Sequence, residues 1–267
     1  MRPDNADKRV LCLVLALLAS GAPGQALAQD AMRGLDMTSP DMTMAEMTRA
    51  ELAAVLASAP GGRGADLSGK RLSGLDLSGL DLSGVVLRAA RLNHVNLAHA
   101  KLDGAILDQA WAIEVDLSGA SLVKASLFGA QLQGARLDGA DLSGARVTAD
   151  LTGAHLAGAR FVGADCSADE KNQSMGLMHA AFKSADLTNV DFSSANLARA
   201  DLRFAKLGGA NLAGASLREA DASGADLRGA HFDGADASGL DLDSARIDAN
   251  AAQSLAKAKN LKRAFAE

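Results

Sequence analysis

A large apolar residue recurs at every fifth position from Leu67, through Leu72, Leu77, Leu82, Leu87, Leu92, Leu97, Leu102 and Leu107. Ala112 fills the next slot, and the series continues from Leu117 to Leu142 and Val147. Two residues before each slot stands a small residue, usually Ala, as at Ala90, Ala100, Ala120 and Ala130. Asp, Asn or Arg usually separates the two, and Ser-Gly commonly follows, as in "ADLSG". Positions two apart share one face of an extended chain. Ala and Leu therefore point inward, the polar residue between them points outward, and Ser-Gly turns the chain. No α-helix has this period. The pattern predicts an all-β solenoid in which each coil stacks on the last through backbone hydrogen bonds.

The stretches "ADLSGKRLSGLDLSGLDLSG" and "GARLDGADLSGAR" resemble the pentapeptide-repeat family, whose pattern is A-(D/N)-L-x-x. The resemblance covers residues 65–247 and implies a right-handed quadrilateral β-helix with four pentapeptides per coil. At a strand spacing of ~4.8 Å, about nine coils make a rod roughly 40 Å long.

Two slips break the period. Val147 to Leu151 is one residue short, and Cys166 to Leu177 is one residue long. Together they restore the phase, so the expectation is one continuous rod with a local interruption at 167–176. Burying Asp169, Glu170, Lys171 or Asn172 without partners is costly. Asp169, Glu170, Lys171, Asn172, Gln173 and Ser174 are therefore expected to leave the wall as a candidate loop, with packing resuming at Met175 and Leu177.

A solenoid needs caps at both ends. Residues 48–64 are read as a capping helix and linker. Thr48 and Glu51 form a capping box, and Leu52, Val55 and Leu56 lie on one face. Residues 248–267 are read as a C-terminal cap, with a short helix from about Ala251 to Ala258 and then a strand-like turn. The resemblance leaves a homodimer through this end open.

Residues 1–28 read as a signal peptide: Lys8 and Arg9, the apolar run "VLCLVLALLA", then Ala26-Leu27-Ala28 before a predicted cleavage after Ala28. A periplasmic or secreted protein follows, without a transmembrane segment after cleavage. Cys166 is then the remaining cysteine, and one cysteine forms no internal disulfide. Residues 29–47, polar and Met-rich, are expected to be flexible. The chain has 27 Gly, 7 Phe, one Trp and no Tyr, which suits a narrow aliphatic interior. Its net charge of -5 gives no basic footprint, so nucleic acid is not an expected partner.

Departures from the repeat mark candidate chemistry. Val86, Ile106, Trp111, Ile113 and Phe128 are apolar at outward positions, and His94 and His99 replace Gly at corners. These seven residues form the candidate partner surface, with aromatic and apolar anchors for an unidentified protein. Scattered apolar residues on a wall, or a patch covered by the N-terminal segment, are the structural alternative. The five His form no catalytic or phosphate-binding motif, so no catalytic residue, metal site or cofactor is assigned. The resulting reading is a non-enzymatic exported scaffold or protein-interaction module. Two alternatives stand beside it. One is a DNA-mimicking gyrase-binding or topoisomerase-binding protein, which the resemblance implies if the chain is not exported. The other is a periplasmic copper-binding protein using Cys166, Met175, Met178, His179 and the upstream Met residues.

Overall fold

The computed structural model describes residues 36–58, 64–168 and 178–266. The signal-peptide reading, residues 29–35 of the Met-rich segment, and the loop Asp169–Ser174 with Met175 and Leu177 lie outside the described residues.

Each pentapeptide supplies one side of a four-sided coil, and each side contributes one outward rung. The rungs pair in parallel with the rung twenty residues on, as in Asp66 with Val86 and Val86 with Ile106. Four walls result. Wall 1 carries Asp66, Val86, Ile106 and Ser126, and wall 2 carries Arg71, Arg91, Trp111 and Gln131. Wall 3 begins Asp76, Asn96 and Asp116, and wall 4 begins Asp81, Lys101 and Ser121. The ladder alternates direction: Leu67 N–H donates to Val86 O at 2.7 Å, and Val86 N–H donates to Ala65 O at 2.9 Å.

Between walls the chain turns in four residues. Lys70 N–H closes onto Leu67 O at 3.1 Å, and Gly69 between them has a φ of 67°. A left-handed third residue is what a type II turn requires. The slots fill the interior. Leu102, Leu122 and Leu142 are buried, as are Ala100, Ala120 and Ala140 two before them.

The rungs on either side fix the length of the break. Wall 2 steps from Gln131 to Asp150, a step of nineteen, and then from Asp150 to Ala181, a step of thirty-one. The same two steps recur on the other walls, as in Arg146 to Asp165 to Asn196. The first described rung after the break is thus Ala181, and the expected resumption at Met175 and Leu177 falls outside the described residues. The excursion contains eleven residues more than the wall requires, and its Phe182 is the first described slot. The net gain is half a coil, so Ile247 stands on the wall opposite Leu67 rather than above it. Any excursion that changes the count by a multiple of five preserves the period, which is why counting alone did not distinguish the cases.

Both slips fall at the corner between walls 1 and 2, one coil apart. The shortened corner runs through Val147, Thr148 and Ala149, all buried. Thr148 Oγ1 donates to Ser167 O at 3.5 Å, where the excursion departs. On the returning limb Met178 lies against Gly129, whose added Cβ would stand 3.1 Å from Met178 Cε. Inside this region Phe161, Phe182 and Phe192 meet from walls 4 and 2, with ring centroids 4.9–5.9 Å apart.

At the N-terminal end, α1 (Pro40–Thr43) precedes α2 (Arg49–Ser58). Glu51 Oε2 accepts from Thr48 N–H at 2.7 Å, and Thr48 Oγ1 accepts from Glu51 N–H at 3.2 Å, the reciprocal capping box. Leu52 is fully buried over the first coil, while Val55 points to solvent. Residues 36–47, from the segment expected to be flexible, are placed as a strap along wall 2. Met42 is 2% exposed and Asp41 pairs with Arg71 at 2.6 Å.

The other end carries no α-helix among the described residues where one was expected. Ala249–Ala252 and Leu261–Arg263 are 3-10 turns, and Leu255 is buried between them. The strand β1 (Arg246–Ile247) then takes β2 (Phe265–Ala266) as a final parallel rung. Too few periodic apolar residues face one side here to hold a full helix against the last coil.

Candidate functional site

The rung aspartates are structural. In the Asp-Leu-Ser unit the carboxylate folds onto its own turn. Asp66 Oδ1 accepts from Ser68 N–H at 2.9 Å and from Ser68 Oγ at 2.6 Å. Asp81 with Ser83 and Asp186 with Thr188 repeat the arrangement. These hydrogen bonds, the side-chain one foremost, hold the Asp66, Asp81 and Asp186 carboxyls below the usual carboxylate range.

Where the rung is not Asp or Asn, the turn N–H needs another acceptor. Asn93 Oδ1 accepts from Ile113 N–H at 3.0 Å. Asp103 Oδ1 accepts from Val123 N–H at 3.1 Å, and Asp108 Oδ1 from Phe128 N–H at 3.2 Å. Asp138 does the same for Ala157 at 3.1 Å. In each case the acceptor sits just after a slot, one coil earlier. This relay was missed from sequence. Its signal is an Asp or Asn one coil before an outward residue whose own rung is Trp, Ser or His. It explains how Ile113, Val123 and Phe128 hold an outward place without a capping rung.

The structure separates the candidate surface into two parts. Val86 and Ile106 stack on wall 1, as the spacing requires, and Phe128 stands on the same wall toward the corner. Trp111 is on wall 2 between Arg91 and Gln131, with Ile113 beside it. All five are half-buried. Arg146 lies over the Phe128 ring at 4.4 Å. His94 occupies the corner beyond wall 2, with Nδ1 3.4 Å from Glu114 Oε2. His99 lies elsewhere, at the corner between walls 3 and 4, over Gly119. These six residues therefore gather on walls 1 and 2, and His99 does not join them.

The non-glycine corners of this region keep their left-handed shape, with φ of 56° at His94, 58° at Gln109 and 52° at Glu114. They do not set residues 86–128 apart, because Ser184, Asn189, Arg199, Phe204 and Glu219 do the same in the second half. Phe204 is the residue the sequence reading passed over. It is 59% exposed at a φ of 59°, and its ring covers Gly224. A bulky residue at positive φ is uncommon, and Phe in the corner slot was the available signal.

The soft ligands among the described residues stand on different elements, while Met32 and Met175 lie outside them. Cys166 faces the interior, and burial followed by the Asp165 charge pushes its thiol far up. Met42 is buried on wall 2, whereas Met178 and His179 lie on the returning limb of the excursion. Among the described residues no cluster of three or more His, Cys, Asp or Glu is arranged to hold a metal. No helix of the described residues is long and apolar enough to cross a membrane.

A four-walled stack of five-residue sides, turned at left-handed corners, defines a β-solenoid of pentapeptides. The family model for pentapeptide repeats matches eight copies across 63–109, 112–144 and 177–247, and the chain belongs to this family, whose members form right-handed quadrilateral β-helices. Among solved structures it is similar to HetL, a pentapeptide repeat protein involved in heterocyst differentiation regulation from the cyanobacterium Nostoc. Identity is 30% over 83% of this chain and 98% of HetL, at a TM-score of 0.38. It is also similar to QnrB1, a plasmid-mediated fluoroquinolone resistance protein, with 17% identity over 72% of this chain and 94% of QnrB1, at a TM-score of 0.48. A pentapeptide repeat protein of the Arabidopsis thaliana thylakoid lumen shares 26% identity over 53% of this chain and 71% of its own, at a TM-score of 0.17. No curated protein matches the chain significantly.

Proposed function

We propose that this chain is an exported, non-enzymatic interaction module that binds a protein partner across walls 1 and 2 around Trp111. The observation carrying the reading is the backbone relay. Asn93 and Asp108 pin the turns that present Ile113 and Phe128, so the apolar groups beside Trp111 stand on a rigid ladder. A preorganised aromatic anchor loses little entropy on binding. Membership of a family of structural and interaction modules supports the same class. Export rests on the Lys8-Arg9 start, the apolar run and Ala26-Leu27-Ala28. The test is capture from periplasmic extract with wild-type chain and Trp111→Ala. A partner retained equally by both defeats the reading, and one lost with Trp111→Ala alone supports it.

One observation favours the gyrase-binding alternative: wall 2 carries Asp201, Asp221 and Asp241 in succession. Against it, Arg203 engages Asp201 through Nε at 2.8 Å, and wall 3 alternates Asp186, Lys206, Asp226 and Arg246. N-terminal sequencing of the cellular protein separates the readings, because an intact Met1 leaves only the non-exported one.

A further inference from the structure

We propose that Arg71, Ser73 and Asn93 on wall 2 form a seat for an acidic, methionine-bearing segment of the partner protein, and that residues 36–47 hold this seat in cis as its competitor. The inference rests on the reading of walls 1 and 2 as the docking surface and names the chemistry of what docks there.

The strap shows what the seat recognises. Met42 is 2% exposed, and its carbonyl accepts from Asn93 Nδ2 at 3.2 Å. Two carboxylates flank it. Asp41 Oδ1 lies 2.6 Å from Arg71 Nη1, and Glu46 lies 2.8 Å from Lys70 Nζ and 3.4 Å from Arg71 Nε. Glu46 N–H also donates to Arg71 O at 2.9 Å, a main-chain contact open to any sequence. The specific elements are therefore one apolar side chain and a flanking acid on each side.

The cis fit is incomplete. Ser73 is 3% exposed, yet its Oγ has no hydrogen-bond partner among the described residues. A buried hydroxyl left unpaired is a cost that an arriving acceptor removes. The ion pairs that hold the strap are a quarter to nearly half exposed, where such pairs contribute little. Met42, with Met47 packed partly against the first coils, must then offset the ordering of the whole strap. A strap so held opens readily.

The strap also carries its motif twice. Asp36-Met37-Thr38 precedes Asp41-Met42-Thr43 by five residues, and Met37 is 36% exposed while Met42 is seated. Asn93 receives the Ile113 N–H on its other side, so a longer segment continues from the seat to Ile113 and Trp111. The cis strap blocks the start of that path.

The test uses the full chain with Met42→Lys to unseat the strap, and a labelled peptide of residues 36–47 as probe. Hydrogen exchange at Glu46 reports release, and peptide binding is read by anisotropy. The expected result is fast exchange at Glu46 and peptide binding at least ten-fold tighter than to wild type. Adding Arg71→Glu should abolish that binding, and a peptide with Lys at the Met42 position should not bind. Retained protection at Glu46 in Met42→Lys overturns the proposal. So does failure of the peptide to bind a released chain, or equal binding with and without Arg71→Glu. Trp111→Ala in the Met42→Lys background should leave the peptide's affinity unchanged, because the strap's footprint ends at Asn93. A wall-2 reading that fails on Trp111 is thereby told apart from a seat that fails on Arg71.

Discussion

Replacing Phe161 with Ala tests whether the ladder transmits stability across the break. Phe161 and Phe192 are consecutive slots of wall 4 on either side of the excursion, and Phe182 faces them from wall 2. All three are fully buried, with Phe161 4.9 Å from Phe192 and 5.9 Å from Phe182 by ring centroid. Removing a fully buried ring costs about 3–5 kcal/mol, including ~0.5–1.5 kcal/mol for each aromatic pair lost. At about 2–4 °C per kcal/mol for a chain of this length, the midpoint should fall by roughly 6–20 °C. Trp111 is the chain's one tryptophan and lies coils away on the N-terminal side. Its fluorescence therefore reports the first half, while circular dichroism reports the whole. Both should shift together in Phe161→Ala, in a single transition. Phe161→Leu, which restores the commonest slot residue, should recover most of the loss. A Trp111 transition that stays put while the dichroism splits in two would show that the excursion separates two independent rods, and the continuous ladder would be refuted.

Three further outcomes follow from local geometry. Cys166 should resist thiol reagents in the folded chain and react stoichiometrically in denaturant, because burial pushes its thiol up; fast native labelling would contradict the interior placement. Hydrogen bonds from Thr188 and Arg228 hold the Asp186 and Asp226 carboxyls below their unfolded value, so their contribution is full above about pH 4 and fades as pH falls through the folded values. The double variant Asp186→Asn, Asp226→Asn should lose less stability on acidification, as urea midpoints against pH would show, and an unchanged acid slope would refute the assignment. Gly139→Ala meets nothing within 4 Å and should show only the left-handed penalty of roughly 1 kcal/mol, whereas Gly119→Ala also drives Cβ to 2.6 Å from His99 Nδ1. Equal losses in thermal unfolding would mean that His99 moves away freely.

The repeat made the walls legible because inward slots depend on spacing two apart, and Leu72 to Val147 needed no tertiary information. The Thr48–Glu51 cap was legible for the same reason, since both partners lie within one turn. The strap was not. Its order depends on Arg71 and Asn93, which are distant in sequence and become neighbours of Met42 only after the coils form. The relay from Asp103 and Asp108 was hidden because its partners are one coil apart and each looks like an ordinary surface acid. The length of the excursion was hidden because a wall accepts any whole number of sides between its rungs.

The half-coil offset has a consequence for how such a rod changes over time. Residue pairs separated by a multiple of twenty share a wall when both lie on the same side of the excursion, and face opposite ways when they straddle it: Ile106 stands on wall 1 and Arg246 on wall 3. The excursion thus shifts the numbering against the walls and leaves the walls themselves in order. Because the chain leaves after Asp165 on wall 1 and rejoins at Ala181 on wall 2, lengthening or shortening the excursion by five residues would leave every later side chain on its own wall and every repeat unaltered. A decorated rod can in this way gain or lose residues at one corner while its core, its hydrogen-bond ladder and its outward chemistry keep their places.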